Sequence, residues 1–197
     1  MLVFAKAKLV FLSVPKTGTT SYERALSPIA SMSILEPPEL KHAPIYRYNR
    51  FVRPMLEKFV SEDIEIMAVM REPISWLGSW YRYRQRPHLQ GSANSTQGIT
   101  FDEFILAYLK GKKPPYANVG SQAKFLEPQV NGTKLKYLFK YEDQPKLIAF
   151  LENKLEVELN LPQLNKSPPM KLELSDDVEV KYRRKCADEF ALWSSIS

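Results

Sequence analysis

The segment Ser13-Val14-Pro15-Lys16-Thr17-Gly18-Thr19-Thr20-Ser21 constrains this chain more than any other. It follows an apolar run at 8–14 (KLVFLSV) that reads as a buried strand, and it leads into residues 19–30, which read as a helix. Thr19 or Thr20 is available as the N-cap, and Pro28 stands near the end. A strand that passes to a helix through a short turn opens an α/β unit. Gly18 lets the backbone approach a ligand closely. The free N–H groups and the dipole at a helix start favour an anion. Lys16 adds a mobile positive charge, and Thr19, Thr20 and Ser21 add hydroxyl donors. Together these features describe a phosphate cradle. The competing reading is a polar strand-to-helix turn with good capping residues.

The alternation continues along the chain. Residues 39–60 are helical in pattern, with breaks at Pro44 and Pro54. Residues 64–70 (IEIMAVM) read as a second buried strand, followed by a helix over 74–86 with Pro73 in its first turn. Residues 135–141 (LKYLFKY) read as a third strand, 144–153 as a helix, and 175–193 as a closing amphipathic helix. The expected fold is α/β: a mostly parallel sheet flanked by helices, of the P-loop type, in a single domain over 1–197. Ligands of such sheets bind at the carboxyl ends of the strands. Residues 87–99 (PHLQGSANSTQGI) form a long loop that reads as a lid. A helix over 101–110 carries the capping-box pattern of Thr100 with Glu103, and 160–169 is an irregular loop.

Composition bounds the partners. With 197 residues, 44% apolar and 25% charged, the chain can build the core of one ordinary globular domain. No apolar run is long enough to span a bilayer. In MLVFAKAKLVFLSV, Lys6 and Lys8 interrupt the apolar stretch, and no small-residue cleavage site precedes Pro15. The segment is therefore expected to be the first core strand rather than a leader, and the location cytoplasmic. A single cysteine, Cys186, cannot form an internal disulfide and reads as a packed thiol. No Cys/His cluster has metal-ligand spacing, so no metal is expected. The net charge of +6 suits polyanionic partners, but no nucleic-acid motif accompanies it.

A second motif follows the 64–70 strand. Arg71 at the strand end and Ser79 on the next helix are placed to converge on one anion, with Pro73 holding the turn. The alternative is a local Arg71–Glu72 pair and a Ser79 that faces the core. The loop Pro-Lys-Thr-Gly-Thr-Thr-Ser differs from the nucleotide-kinase pattern G-x-x-x-x-G-K-[ST], since Lys16 precedes the glycine and no upstream glycine exists. It resembles the 5′-phosphosulfate loop of sulfotransferases. Arg71-x-Pro73 with Ser79 and then Tyr81 resembles the 3′-phosphate motif of the same family. Tyr141-Glu142-Asp143, Gly120-Ser121-Gln122 and Asn165-Lys166-Ser167 are similar to further segments of related enzymes.

The resemblance implies the donor 3′-phosphoadenosine 5′-phosphosulfate (PAPS). Pro15, Lys16, Thr17, Gly18, Thr19, Thr20 and Ser21 would hold its 5′-phosphosulfate. Arg71 and Ser79 would hold the 3′-phosphate, and Lys166 and Ser167 would close over that end. It implies an acceptor hydroxyl, on a carbohydrate or another small molecule, and a general base. Lys16 is aimed at the leaving phosphate. His42, in Leu40-Lys41-His42-Ala43-Pro44, resembles the base of several carbohydrate sulfotransferases, and a structural histidine is the equal alternative. Glu36, Glu142 and Asp143 are reserve bases; His88 lies in the loop at 87–99. Basic and aromatic residues at 46–53 and 81–86 read either as an acceptor groove or as a solvated face with its rings turned inward. Two other functions stay open: a P-loop small-molecule kinase and a non-catalytic anion-binding module.

Overall fold

The computed structural model describes residues 1–161 and 172–197. Along the chain the elements are β1 (Leu2–Phe4), β2 (Leu9–Phe11), α1 (Thr19–Leu26), β3 (Met32–Ser33), α2 (Pro38–Lys41), α3 (Ile45–Arg47), α4 (Arg53–Phe59) and β4 (Glu65–Met70). They continue as α5 (Pro73–Arg84), α6 (Phe101–Tyr108), α7 (Gln122–Phe125), β5 (Tyr137–Lys140), α8 (Gln144–Leu155), α9 (Asp176–Lys185) and α10 (Ala187–Ser194). They belong to two compact units. One comprises Met1–Arg71, the described residues of 122–164, and Ile196–Ser197. The other comprises Glu72–Ser121 and the described residues of 165–195.

The first unit is built on a five-stranded sheet in the order β3-β1-β2-β4-β5. The pairs β2–β4 and β4–β5 are parallel, whereas β1 runs antiparallel to both β2 and β3. The α/β fold is thus the expected one, with a parallel core at β2-β4-β5 and an antiparallel edge. The edge corrects one expectation, because residues 1–14 are a hairpin and not one strand. The turn falls at Lys6 and Lys8, where Lys8 N–H donates to Ala5 O (3.1 Å) and Lys8 takes φ +49°. Both flanking triplets read LVF and are buried at every position, the continuous apolar run of a strand covered on both faces. Leu2, Phe4, Leu9, Phe11, Met67, Val69 and Phe139 share one buried face with Tyr22 and Leu26 of α1 and Leu147 and Leu151 of α8. Each such side chain stabilises the fold by about 1.5–3 kcal/mol relative to exposure.

Local sequence explains the breaks. Gly18, not Thr19 or Thr20, is the N-cap of α1. Pro28 ends that helix in a 3₁₀ turn, Ser27–Ile29. Pro44 caps α3, and a π-turn over Tyr48–Val52 precedes Pro54 in the first turn of α4. Pro54 has no N–H to donate back along the helix, so the chain widens just before it.

In the second unit, α5 starts at Pro73, and the carboxylate of Glu72 accepts from Ser75 N–H (2.7 Å). The expected capping box of Thr100 and Glu103 opens α6. Trp76, Leu77, Tyr81, Phe104, Tyr108 and Tyr182 form the core. Tyr182 Oη donates to Pro73 O (3.3 Å), which ties α9 to the start of α5. The closing helix expected over 175–193 is two helices, α9 and α10, which meet at Cys186; there φ −120° and ψ 37° break the turn. Burial pushes the Cys186 thiol up. The loop 87–99 is tied to α5: Thr96 is fully buried, its N–H donates to Arg84 O (3.1 Å), and its hydroxyl donates to Tyr81 O (2.8 Å). No helix among the described residues is long and apolar enough to cross a membrane.

Candidate functional site

The residues expected to cradle phosphate, 15–21, run from the end of β2 into α1. Gly18 has φ +73°, and an added Cβ there would lie 3.0 Å from Tyr141 Cε2. Glycine is therefore required both for the left-handed turn and for the approach of the tyrosine ring. Lys16 also takes a positive φ, +66°. A side chain held in that region costs about 1–3 kcal/mol, and such strain persists where the surroundings impose it. One tie is Thr17, which is fully buried and whose hydroxyl donates to Val14 O (2.9 Å). Thr17 thus uses its side chain to close the loop and has only its main chain to offer a ligand. Gly18 has no side chain with which to cap the first-turn amides of α1. Ser21 N–H donates back to Gly18 O (3.1 Å), and the helix start favours an anion. Thr19 is buried, Thr20 is exposed, and Pro15, Lys16 and Ser21 are half-buried.

Arg71 joins this loop. Its guanidinium reaches Lys16 O (Nη1–O 3.4 Å) and lies over the Tyr141 ring, 4.5 Å from the centroid. Lys16, Gly18, Arg71 and Tyr141 are therefore one cluster at the carboxyl ends of β2, β4 and β5. That is where a parallel sheet presents ligands. Gln122, fully buried, exchanges two hydrogen bonds with the main chain of Arg71.

His42 is the C-cap of α2 and is half-buried. Its Nδ1 lies 2.7 Å from the carbonyl oxygen of Ser13, the residue that leads into the loop. A carbonyl only accepts, so Nδ1 carries the proton and donates, which leaves Nε2 with its lone pair. Burial lowers the His42 pKa below its ordinary value, and the neighbouring Lys41 lowers it further, against opposing effects of the Ser13 bond and Glu23. The ring is thus held neutral with one basic nitrogen. Ser13 Oγ donates to Glu23 Oε1 (2.9 Å), and Lys41 Nζ pairs with Glu23 Oε2 (2.6 Å).

Other sequence candidates are placed differently. Ser79 is buried on α5 in the second unit. Asp143 caps α8 by accepting from Lys146 N–H (3.3 Å), while Glu36, Glu142 and His88 are exposed. Lys166 and Ser167 lie outside the described residues, as does Asn165. Of the two basic-aromatic clusters, 46–53 shows Tyr46 and Phe51 to solvent, with Arg47 and Arg50 beside their rings. In the cluster at 81–86, Tyr81 and Arg84 turn inward, and Arg84 Nη1 donates to Pro115 O (2.5 Å). No group of three or more His, Cys, Asp or Glu residues fit to hold a metal occurs among the described residues.

Sequence reasoning missed the roles of Ser13, Glu23 and Gln122. Gly120-Ser121-Gln122 stood out as a segment, but nothing in it points to a partner 51 residues earlier. No protein-family model matches the chain, and neither does any curated protein. A crystal structure of a sulfotransferase from Alicyclobacillus acidocaldarius is similar over 95% of both chains, at 15% identity and a TM-score of 0.49. At that level the likeness bears on neither activity nor site residues.

Proposed function

We propose that this chain is a sulfotransferase that moves a sulfuryl group from PAPS to an acceptor hydroxyl. The observation that carries the reading is the meeting of two separate motifs: the Arg71 guanidinium lies against the Lys16 carbonyl and over Tyr141, whose ring occupies the space left by Gly18. A cationic fork, a lysine and a helix start at one sheet end suit the charges of a nucleotide phosphosulfate. The donor phosphates would be taken by residues 15–21 and Arg71. Ser79, Lys166 and Ser167 are assigned to the same ligand from their motifs alone.

The acceptor oxygen attacks sulfur, its proton passes to Nε2 of His42, and the sulfur–oxygen bond to the 5′-phosphate breaks. The electron pair of that bond stays on the leaving phosphate, where Lys16 and the amides of α1 offset the growing charge. Products are the sulfated acceptor, 3′-phosphoadenosine 5′-phosphate and protonated His42. A saccharide acceptor suits the exposed rings of Tyr46 and Phe51 with their arginines.

Calorimetric titration with 3′-phosphoadenosine 5′-phosphate, beside ATP with Mg²⁺, tests the proposal. Metal-independent binding of the bisphosphate that is lost in Lys16→Ala and Arg71→Ala is the expected result. Metal-dependent ATP binding without bisphosphate binding would replace it with the kinase reading. Binding without any turnover would leave the anion-binding module.

A further inference from the structure

The residues of β4 alternate between its two neighbours. On the β2 side, Glu65 N–H donates to Lys8 O (2.8 Å), and Met67 O accepts from Leu12 N–H (2.9 Å). On the β5 side, Ile66 O accepts from Lys136 N–H (2.8 Å), and Met70 O accepts from Tyr141 N–H (2.8 Å). Arg71 continues the odd-numbered set, so its N–H and C=O turn to the β2 side. There is no strand left for them there, because β2 ends at Phe11 and the chain has already turned into the phosphate loop. The side chain of Gln122 takes that place. Its Oε1 accepts from Arg71 N–H (2.9 Å), and its Nε2 donates to Arg71 O (2.8 Å). A planar amide bonded at both ends offers what one residue of a parallel strand would offer. It is fully buried, so water does not compete for these bonds.

The consequence lies in the guanidinium. With Met70 O fixed by Tyr141 N–H and both polar groups of Arg71 fixed by Gln122, the direction in which the Arg71 side chain leaves the sheet is set from both edges. That direction carries it to Lys16 O and over the Tyr141 ring. We infer that Gln122 is a positioning residue: it substitutes for the departed strand and aims the Arg71 guanidinium at the phosphate loop. The ligand that profits from the aim rests on the sulfotransferase reading; the aiming itself does not.

Two measurements test it. Gln122→Met keeps similar volume without the hydrogen bonds, and Gln122→Asn, one methylene short, serves if the first does not fold. In bisphosphate titration each weakens binding about tenfold, equivalent to about 1.4 kcal/mol. The double variant with Arg71→Lys, which keeps the charge but not the fork, binds no more weakly than Arg71→Lys alone, because both changes remove one interaction. Losses that simply multiply would overturn the inference, since a general weakening of the fold acts independently of Arg71. The second measurement needs no ligand. In nuclear magnetic resonance the wild-type Arg71 side-chain N–H shows a cross-peak to the Tyr141 ring, and the Gln122 variants lose it. A cross-peak kept at full strength in both variants refutes the positioning role. If the wild-type protein does not take the bisphosphate, the sulfotransferase reading falls and the resonance experiment alone decides on Gln122.

Discussion

Gly18→Ala is the most direct probe of how the loop is built. At φ +73° a residue with a Cβ costs about 1–2 kcal/mol more than glycine. The new methyl would also stand 3.0 Å from Tyr141 Cε2, too close for an ordinary contact. Relief by tilting the ring about 30° off its rotamer adds about 0.5–1.5 kcal/mol. The sum, about 2–3 kcal/mol, lowers the melting temperature by roughly 5–10 °C for a domain of this size. Gly91→Ala is the control, with φ +74° and nothing within 4 Å of the added Cβ; it bears the backbone cost alone. Thermal melts of the two variants should differ by about 1 kcal/mol, the cost of displacing Tyr141. Because Arg71 rests on that ring, only Gly18→Ala should also weaken bisphosphate binding. Equal melting losses with unchanged binding in both variants would refute the proposed coupling of Gly18, Tyr141 and Arg71.

Other outcomes follow from the same geometry. Lys16→Gly removes the amine and the left-handed strain together, so turnover should vanish while stability rises by about 1 kcal/mol in a denaturant titration; Lys16→Ala should abolish turnover without that gain. The lowered His42 pKa predicts a rate that climbs with pH through a value below about 6.5. His42→Ala should abolish that limb; an unchanged pH–rate profile would place the base elsewhere. Linkage has the same sign. The unfolded chain binds the His42 proton more readily, so this group's contribution to stability is complete above about 6.5 and declines as pH falls towards the folded value. Glu23→Ala takes the carboxylate from the Lys41 ammonium and should cost about 3 kcal/mol in urea unfolding, whereas an uncoupled surface pair would cost under about 1 kcal/mol.

Local order along the chain was enough to determine much of this protein. An apolar run, a glycine-bearing hydroxyl turn and a helical period sit side by side in sequence, so the strand, turn and helix that start the α/β unit were legible at residues 8–26. Arg71 was legible as a strand-end cation for the same reason, and the capping box at Thr100 needed only a three-residue spacing. The hairpin at 2–11 was not legible as two strands. Lys6 and Lys8 read equally well as interruptions of one strand, and pairing is fixed only when Leu2 meets Phe11 across the ladder. The break at Cys186 is likewise a backbone angle that the helical pattern continues through. The choice of cap fell to Gly18 because the turn needed a positive φ, which outweighed the capping chemistry of the threonines.

What only the tertiary structure decided is which side chains share an environment. Ser13 O and His42 Nδ1 come from segments 29 residues apart, and their meeting fixes the tautomer on which a base depends. Gln122 and Arg71 are 51 residues apart, and their pairing exists because β2 leaves the sheet opposite Met67 while β4 runs on to Met70. Periodicity and propensity report on a residue's own neighbourhood in the chain. The partner of a buried polar group is chosen by which strand runs out and which side chain is left to satisfy it.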